Sequence, residues 1–376
     1  MGYLKNRLAS SKLTLETNPQ TGYGATNAGN TLARNIWNPF NFLTKISPVI
    51  KPVKFLILRF SSIGDIVLTT PVVRCLKIQY PDAEIHYCTK VQFKSLLEEN
   101  PYIDKTWYYE GSIRPLLKQL RREKFDYVID LHNNVRTLLI KAIVGVTSFS
   151  FPKLNSEKWL LTNLKIDKMP SVHIVDRYMS TVIALGVTND NKGLDYFIPY
   201  RDEVEPEWIP LTHRSGFVAF AIGGQHATKR LPTERIIELC KKINYPTILL
   251  GGKEDFDTGE KIQEALGDQL IFNGCGKYNL NQSASLVKQS ALVFTHDTGL
   301  MHIAAAFKKM VYSIWGNTTP KFGMYPYKTP HVILENNSIG CRPCSKIGYA
   351  KCPKGHFKCM NELSFQFEIK ELRARK

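Results

Sequence analysis

Two doubly wound α/β domains facing a central cleft are the fold that the sequence predicts, and three observations predict it. Short apolar runs alternate with helix-like stretches from about residue 53 onward. The alternation breaks once, at a charged stretch holding Pro199, Pro206 and Pro210, and then starts again. The 376 residues suffice for two domains at ~100–200 residues each.

In chain order, KFLILRF is an apolar run of the kind that forms a buried parallel strand. IVLTTPVVRCLKIQYP follows as a helix, EIHYCT as a strand and VQFKSLLEEN as a helix. KTWYY (strand), IRPLLKQLRREKF (helix) and YVIDLH (strand) complete the first series. Strands alternating with helices imply right-handed crossovers on a parallel sheet. After the linker the strands are GFVAFAIG, YPTILLGG, QLIFNGC, LVFTHD and MVYSIWG. The helices between them are PTERIIELCKKIN, one within EDFDTGEKIQEALG, NLNQSASLVKQSA and TGLMHIAAAFKK. The expected organisation is a basic extension over 1–51, a first domain over 52–198, a linker over 199–213, a second domain over 214–340 and a basic tail over 341–376.

Hydrophobic residues make up 43% and charged residues 22%, a globular balance that argues against a mostly disordered chain and against a disulfide-dense miniprotein. No run approaches the ~20 apolar residues of a membrane-spanning helix, and the first fifty residues show no apolar core of ~7–15 residues like that of a secretory signal. The first fifty residues read instead as a polar, flexible extension or a membrane-contacting arm, with a basic, acid-poor targeting peptide as the alternative. The net charge of +17 favours an anionic partner. It is concentrated at the ends: +5 in residues 1–51 and +6 in residues 341–376. No element interleaves basic and aromatic residues in a nucleic-acid-binding pattern, so a membrane surface is the better expectation.

In doubly wound sheets, ligands sit beyond the carboxyl ends of the strands, so the loops there carry the chemistry. The first is Arg59-Phe60-Ser61-Ser62-Ile63-Gly64-Asp65. Two readings of Asp65 stand: a cap on the helix that follows, or a carboxylate taking a proton from a hydroxyl. The second loop, Gly223 to Pro232, puts a glycine pair, Thr228, Lys229 and Arg230 before a helix, suited to a phosphate or to plain solvation. In the third, Asp297-Thr298-Gly299 opens a helix with His302 one turn in. Its amides could hold a diphosphate; equally, Asp297 could cap the helix and His302 pack in the core. Two weaker patches are Asp130-Leu131-His132-Asn133-Asn134-Val135-Arg136, which could line the acceptor side of the cleft, and Gly251-Gly252-Lys253-Glu254-Asp255, where an acid could hold a ribose hydroxyl pair; a polar turn and a helix cap are the plain alternatives.

Taken together, FLILRFSSIGDIVLTTPVVRCLKIQYPDAEI, FDYVIDLHNNVRT, HIVDRYM, the GG…TKRLP loop and HDTGLMHIAAAF with VYSIWGNTTP resemble glycosyltransferase family 9, which contains the lipopolysaccharide heptosyltransferases. The resemblance implies a GT-B architecture with a C-terminal helix returning to the first domain, the acceptor held by the first domain and a nucleotide-sugar by the second. It implies inverting, metal-independent transfer with Asp65 as base. The donor side would comprise Thr228, Lys229, Glu254, Asp297, Thr298, Gly299 and His302, and the acceptor side Ser62, Gly64, His132, Asn133 and Arg136. The implied donor is ADP-heptose and the implied acceptor a lipid A-core type glycolipid, so the enzyme is expected in the cytoplasm, peripheral at the inner face of the cytoplasmic membrane. The loop GGQHATKRLP and the long N-terminal extension depart from the enterobacterial pattern. A nucleotide-sugar epimerase on the same fold and a non-catalytic basic membrane or nucleic-acid binding protein are the competing readings.

No cofactor is expected beyond the nucleotide-sugar co-substrate. Four of the eight cysteines, Cys341, Cys344, Cys352 and Cys359, crowd the tail. Four thiolates could hold a structural zinc, though only Cys341 and Cys344 have the usual close spacing; reduced packing thiols and disulfides are the alternatives.

Overall fold

Two five- and six-stranded parallel sheets organise the chain, as described by a computed structural model for residues 51–373. The extension expected over 1–51 lies outside the described residues, except for Lys51.

The first domain runs β1 (Lys54–Leu58), α1 (Ile63–Val67), α2 (Thr70–Gln79), β2 (Glu84–Lys90), β3 (Lys105–Tyr109), α3 (Ile113–Arg122), β4 (Tyr127–Asp130), α4 (Val135–Val144) and β5 (Thr147–Ser150). Its strand order is β3-β2-β1-β4-β5. Phe55, Leu56, Ile57 and Leu58 are all fully buried, because successive side chains enter cores on opposite faces of the sheet. Leu58 pairs with Cys88 on one side and Asp130 on the other, so the chain reverses its winding direction between β1 and β4. In doubly wound sheets, ligands bind in the crevice at such a switch point.

α5 (Asn155–Trp159) and α6 (Ile174–Met179) lead to the linker, where 199–213 forms two short 3₁₀ turns and the start of α7 (Leu211–Arg214). The second domain continues with β6 (Val218–Ala221), α8 (Thr233–Ile243), β7 (Thr247–Leu250), α9 (Phe256–Leu266), β8 (Ile271–Asn273), α10 (Leu280–Gln289), β9 (Val293–His296), α11 (Gly299–Ala306), β10 (Val311–Trp315) and β11 (His331–Glu335). Its order is β11-β10-β9-β6-β7-β8, with the switch point between β6 and β9. The loops after β1, β4, β6 and β9, all singled out in the sequence, thus flank the two switch points.

Several elements differ from expectation. The helix expected over IVLTTPVVRCLKIQYP is broken into α1 and α2, since Pro71 belongs in the first turn of a helix and cannot donate within one. Thr69 marks the break, its hydroxyl donating to Ile66 O at 2.7 Å. The expected helix VQFKSLLEEN is a 3₁₀ helix over Val91–Leu96. β5 and β11 are added strands: TSFS is polar because it lies at a sheet edge and exposes three of its four residues.

The tail also departs from expectation. After α12 (Lys358–Asn361), the buried Leu363, Phe365 and Leu372 join the second domain's core, and the last described helix, α13 (Lys370–Arg373), stays there. Tyr312 Oη donates to Glu371 at 3.0 Å. The described tail therefore ends on the second sheet and does not return to the first domain. Its alternating Leu363, Phe365 and Phe367 supply the apolar surface that covers that face.

The domains are joined through α6 instead. Ile174 N donates to Gly323 O at 2.8 Å and Arg177 Nη2 to Phe322 O at 2.8 Å, while Tyr327 Oη donates to Asp176 Oδ1 at 2.9 Å. HIVDRYM is thus a brace between domains. Ala284, Ile303, Ala305 and Tyr327 of the second domain share a core with the first. No helix among the described residues is long and apolar enough to cross a membrane.

Candidate active site

α1 and α11 meet nose to nose at two glycines. A Cβ on Gly64 would lie 2.5 Å from His302 Cδ2, and one on Gly299 would lie 2.6 Å from Ile63 Cγ2. Only glycine permits this approach, and it sets Asp65 beside the opening turn of α11.

Asp65 is gripped from two sides. Its Oδ1 lies 2.6 Å from Arg59 Nη2; its Oδ2 accepts from Ser62 N at 3.1 Å and Ser62 Oγ at 2.9 Å. The cap reading is therefore realised, with Asp65 reaching back to Ser62 as in a capping box. It does not exhaust the residue, because the Asp65 side chain keeps 20% of its surface exposed. Burial alone would raise its pKa. The Arg59 charge and the Ser62 hydrogen bonds outweigh burial and hold the carboxyl below its ordinary value.

Arg59 went unassigned in the sequence, yet it organises this corner. It is 7% exposed and also donates to Ser61 O, Leu131 O and Tyr178 Oη. The only advance signal was its place at the carboxyl end of β1, where an arginine ends an otherwise apolar run.

On the other side of the cleft, Lys229 Nζ lies 2.6 Å from Asp297 Oδ2 and also donates to Asp297 O at 3.2 Å. Thr318 Oγ1 donates to the same Oδ2 at 2.9 Å. Asp297 is thus an anchor for Lys229 at the mouth of α11. Thr298 is the N-cap of α11, and its methyl would touch a Cβ on Gly224. His302 is buried, which drops its pKa to about 4 against the opposing pull of Asp297 and Asp65, so the imidazole is neutral near pH 7. Its Nδ1 has no hydrogen-bond partner among the described residues. The side-chain amide of Asn317, 1% exposed, likewise has neither atom bonded. Such orphaned polar atoms mark places where water or ligand completes the bonding.

Other expected residues are occupied differently. Thr228 is 2% exposed and its hydroxyl is committed to the tail, donating to Tyr349 O at 3.1 Å and accepting from Tyr349 N at 2.8 Å. Glu254 is exposed on a short turn, while its neighbour Asp255 is buried, bound by Arg230 at 3.0 Å and by Gly252 N at 2.9 Å. Asn133 stabilises its own loop, its N donating to Asp130 Oδ1 and its Nδ2 to Phe151 O. Arg136 is exposed, 5.3 Å over the Tyr109 ring. His132 packs edge-on to Phe60, and burial together with the nearby Arg59 charge lowers its pKa to about 4.

The tail is tied to the Thr228 loop and to Lys165. Besides the Thr228–Tyr349 bonds, Lys165 Nζ donates to Cys341 O and Pro343 O. Lys153 and Lys158 have depressed pKa values, Lys158 falling to about 8, through burial first and then neighbouring cations. This basic rim beside Asp65 was not identified in the sequence, where the two lysines lie outside any motif. The cysteines are unpaired. Among the described residues no three Cys, His, Asp or Glu side chains come together as metal donors. Cys341 Sγ faces His356 Nε2 at 3.9 Å, Cys344 Sγ donates to Cys341 O, and Cys359 is buried in the second core. The donor set does not fit a tetrathiolate zinc in this arrangement.

Known proteins share both sequence and shape with this chain. Residues 113–353 match the model of glycosyltransferase family 9 (heptosyltransferase). Lipooligosaccharide heptosyltransferase 2 of Haemophilus influenzae is 27% identical, over 71% of this chain and 84% of that protein. Lipopolysaccharide heptosyltransferase 2 of Escherichia coli is 24% identical, over 72% and 84%. Among solved structures, the glycosyltransferase family 9 protein of Veillonella parvula superposes with a TM-score of 0.63 at 24% identity, covering 76% of this chain and 86% of that one. The Escherichia coli ADP-heptose lipopolysaccharide heptosyltransferase II superposes with 0.62 at 22% identity, covering 86% and 100%. The two facing Rossmann-like domains are the GT-B arrangement, and the chain belongs to glycosyltransferase family 9.

Proposed function

We propose that the protein transfers a heptose from ADP-heptose onto a lipopolysaccharide-core type glycolipid, with inversion at the anomeric carbon. The observation that carries this reading is the ionised, partly exposed Asp65 held by Arg59 and Ser62 against the opening turn of α11.

In the reaction, Asp65 takes the proton of the acceptor hydroxyl. The oxygen forms its bond to the anomeric carbon from the face opposite the diphosphate, and the carbon–oxygen bond to the diphosphate breaks. A positioned base of this kind contributes ~10²–10⁴-fold. Negative charge gathers on the departing ADP, where Lys229 and the free amides of α11 offset it. Asp297 keeps Lys229 in place until the diphosphate shares its charge. The acceptor side is Ser62, Gly64, His132, Asn133 and Arg136, with the acceptor presented by a membrane at the inner cytoplasmic face. The donor side adds Thr228, Glu254, Thr298, Gly299 and His302, Thr228 acting through the loop it braces. The reaction as written draws on these side chains and amides without a metal.

The test is ADP release from ADP-heptose in the presence of a lipid A-core oligosaccharide. Release that needs both substrates and is lost in Asp65→Asn, with calorimetric ADP affinity unchanged, supports the reading. Turnover of the nucleotide-sugar without acceptor would favour an epimerase-like reaction, and full activity in Asp65→Asn would remove the base.

A further inference from the structure

α4 has the composition of a buried helix and the position of a surface one. Seven of its ten residues are apolar, yet of these only Ile140 is buried. Val135 is 83% exposed, Leu138 62%, Leu139 42% and Ile143 37%. Single exposed aliphatics are ordinary, but four on one helix form a patch that soluble surfaces seldom leave uncovered.

The neighbouring helix supplies the charge. α3 packs on α4 and contains no acid, and its Arg114, Lys118, Arg121 and Arg122 are exposed. None of the four has a carboxylate within ion-pair distance among the described residues. The two helices share a shallow depression of about 480 Å³ lined by Leu117, Lys118, Arg121, Arg122 and Ile143. Aliphatic tips flanked by unpaired cations are complementary to an anionic bilayer, which offers hydrocarbon beneath phosphate. A second copy of this face would bring like charges together. A nucleic acid would leave the aliphatic row uncovered.

We propose that the α3–α4 face docks the protein onto an anionic phospholipid bilayer. The proposal rests on the membrane-anchored acceptor reading for the choice of a bilayer as occupant. It relocates the contact from the basic ends of the chain to the first domain. α4 begins directly after the loop holding His132 and Asn133, so a protein docked on this face turns its acceptor side toward the lipid from which the acceptor projects.

The experiment is flotation of the full chain with phosphatidylglycerol-containing vesicles, against pure phosphatidylcholine vesicles. Two variants are compared: Leu138→Glu with Leu139→Glu, and Arg121→Glu with Arg122→Glu. Both pairs are solvent-facing, and thermal melting verifies that each variant is folded. We expect binding to the anionic vesicles only, weakened at least about tenfold in each variant and by about 1 M salt. Transfer to a soluble, delipidated acceptor should be unchanged. Wild-type flotation by both variants overturns the proposal, as does failure of the wild type to bind anionic vesicles. Sedimentation showing an oligomer that the same variants dissociate, without a change in flotation, assigns the face to a second copy and also overturns it. Absence of transfer to the soluble acceptor defeats the functional reading and leaves the vesicle result standing.

Discussion

Arg59 Nη2 and Asp65 Oδ1 form a 2.6 Å ion pair at the switch point of the first sheet. The pair ties the residue that follows β1 to the first turn of α1. It also explains how a carboxylate packed against a second domain stays charged. Burial of a lone carboxylate favours its protonated form, and a base that arrives protonated accepts nothing.

Arg59→Gln should therefore move the acid limb of the kcat/KM–pH profile to higher pH. The sign follows from Asp65: its native pKa is depressed, activity is lost as pH falls through that value, and removing the cation raises it. Arg59→Lys should leave the limb closer to wild type. An unshifted limb in Arg59→Gln would show that the rate does not depend on Asp65 ionisation.

Lys229→Met should weaken ADP binding by about tenfold or more, the scale of one charge-assisted contact to phosphate. The same variant leaves Asp297 without its cation, so Lys229→Met with Asp297→Asn should be more stable than Lys229→Met alone. Calorimetry and thermal melting of the two variants check the two halves separately. Wild-type ADP affinity in Lys229→Met would take this lysine out of the donor site.

Most strands of both sheets and the four switch-point loops were legible, because β1, β6 and β9 are apolar runs followed within a few residues by serine, glycine or aspartate; the edge strands β5 and β11 were not. What was not legible depends on contacts distant in sequence. Arg59 reaches Tyr178, 119 residues away, and nothing near Arg59 announces it. Thr228 looked like a phosphate ligand beside Lys229, but Tyr349 claims its hydroxyl. The tail helix was expected on the first domain, yet Leu363, Phe365 and Leu372 find their apolar partners in the second core. Patterns along the chain show which face of an element is apolar and leave open which distant segment covers it.

Gly299→Ala should separate the two helix noses. The added methyl would sit 2.6 Å from Ile63 Cγ2 and 2.9 Å from Ile63 Cβ, where one helix must back away. Overpacking of this kind costs about 1–3 kcal/mol, and here it falls on the interface that sets Asp65 against α11. The expected result is a lowered melting temperature and a kcat reduced more than ADP affinity. Unaltered kcat would mean that the close approach of Gly64 and Gly299 is packing alone.

Acid should destabilise the fold well above the range where carboxylates titrate. Burial lowers the pKa of His132, His296 and His302 to about 4 and of His173 to about 3, so all four stay neutral in the native state. In the unfolded chain each takes up a proton near pH 6.5. A depressed histidine pKa means that the unfolded state binds more protons between the two values, so stability is full above about pH 6.5 and falls toward about pH 4. Each histidine contributes a slope of up to about 1.4 kcal/mol per pH unit in that window. The depressed carboxyl of Asp65 adds its loss only at lower pH, as it protonates. Urea unfolding at about pH 7, 6 and 5 should give a falling midpoint with little change in m-value. A midpoint flat across that range would mean that these imidazoles are charged or solvated in the native protein, and that the neutral His302 beside Asp65 is wrongly assigned.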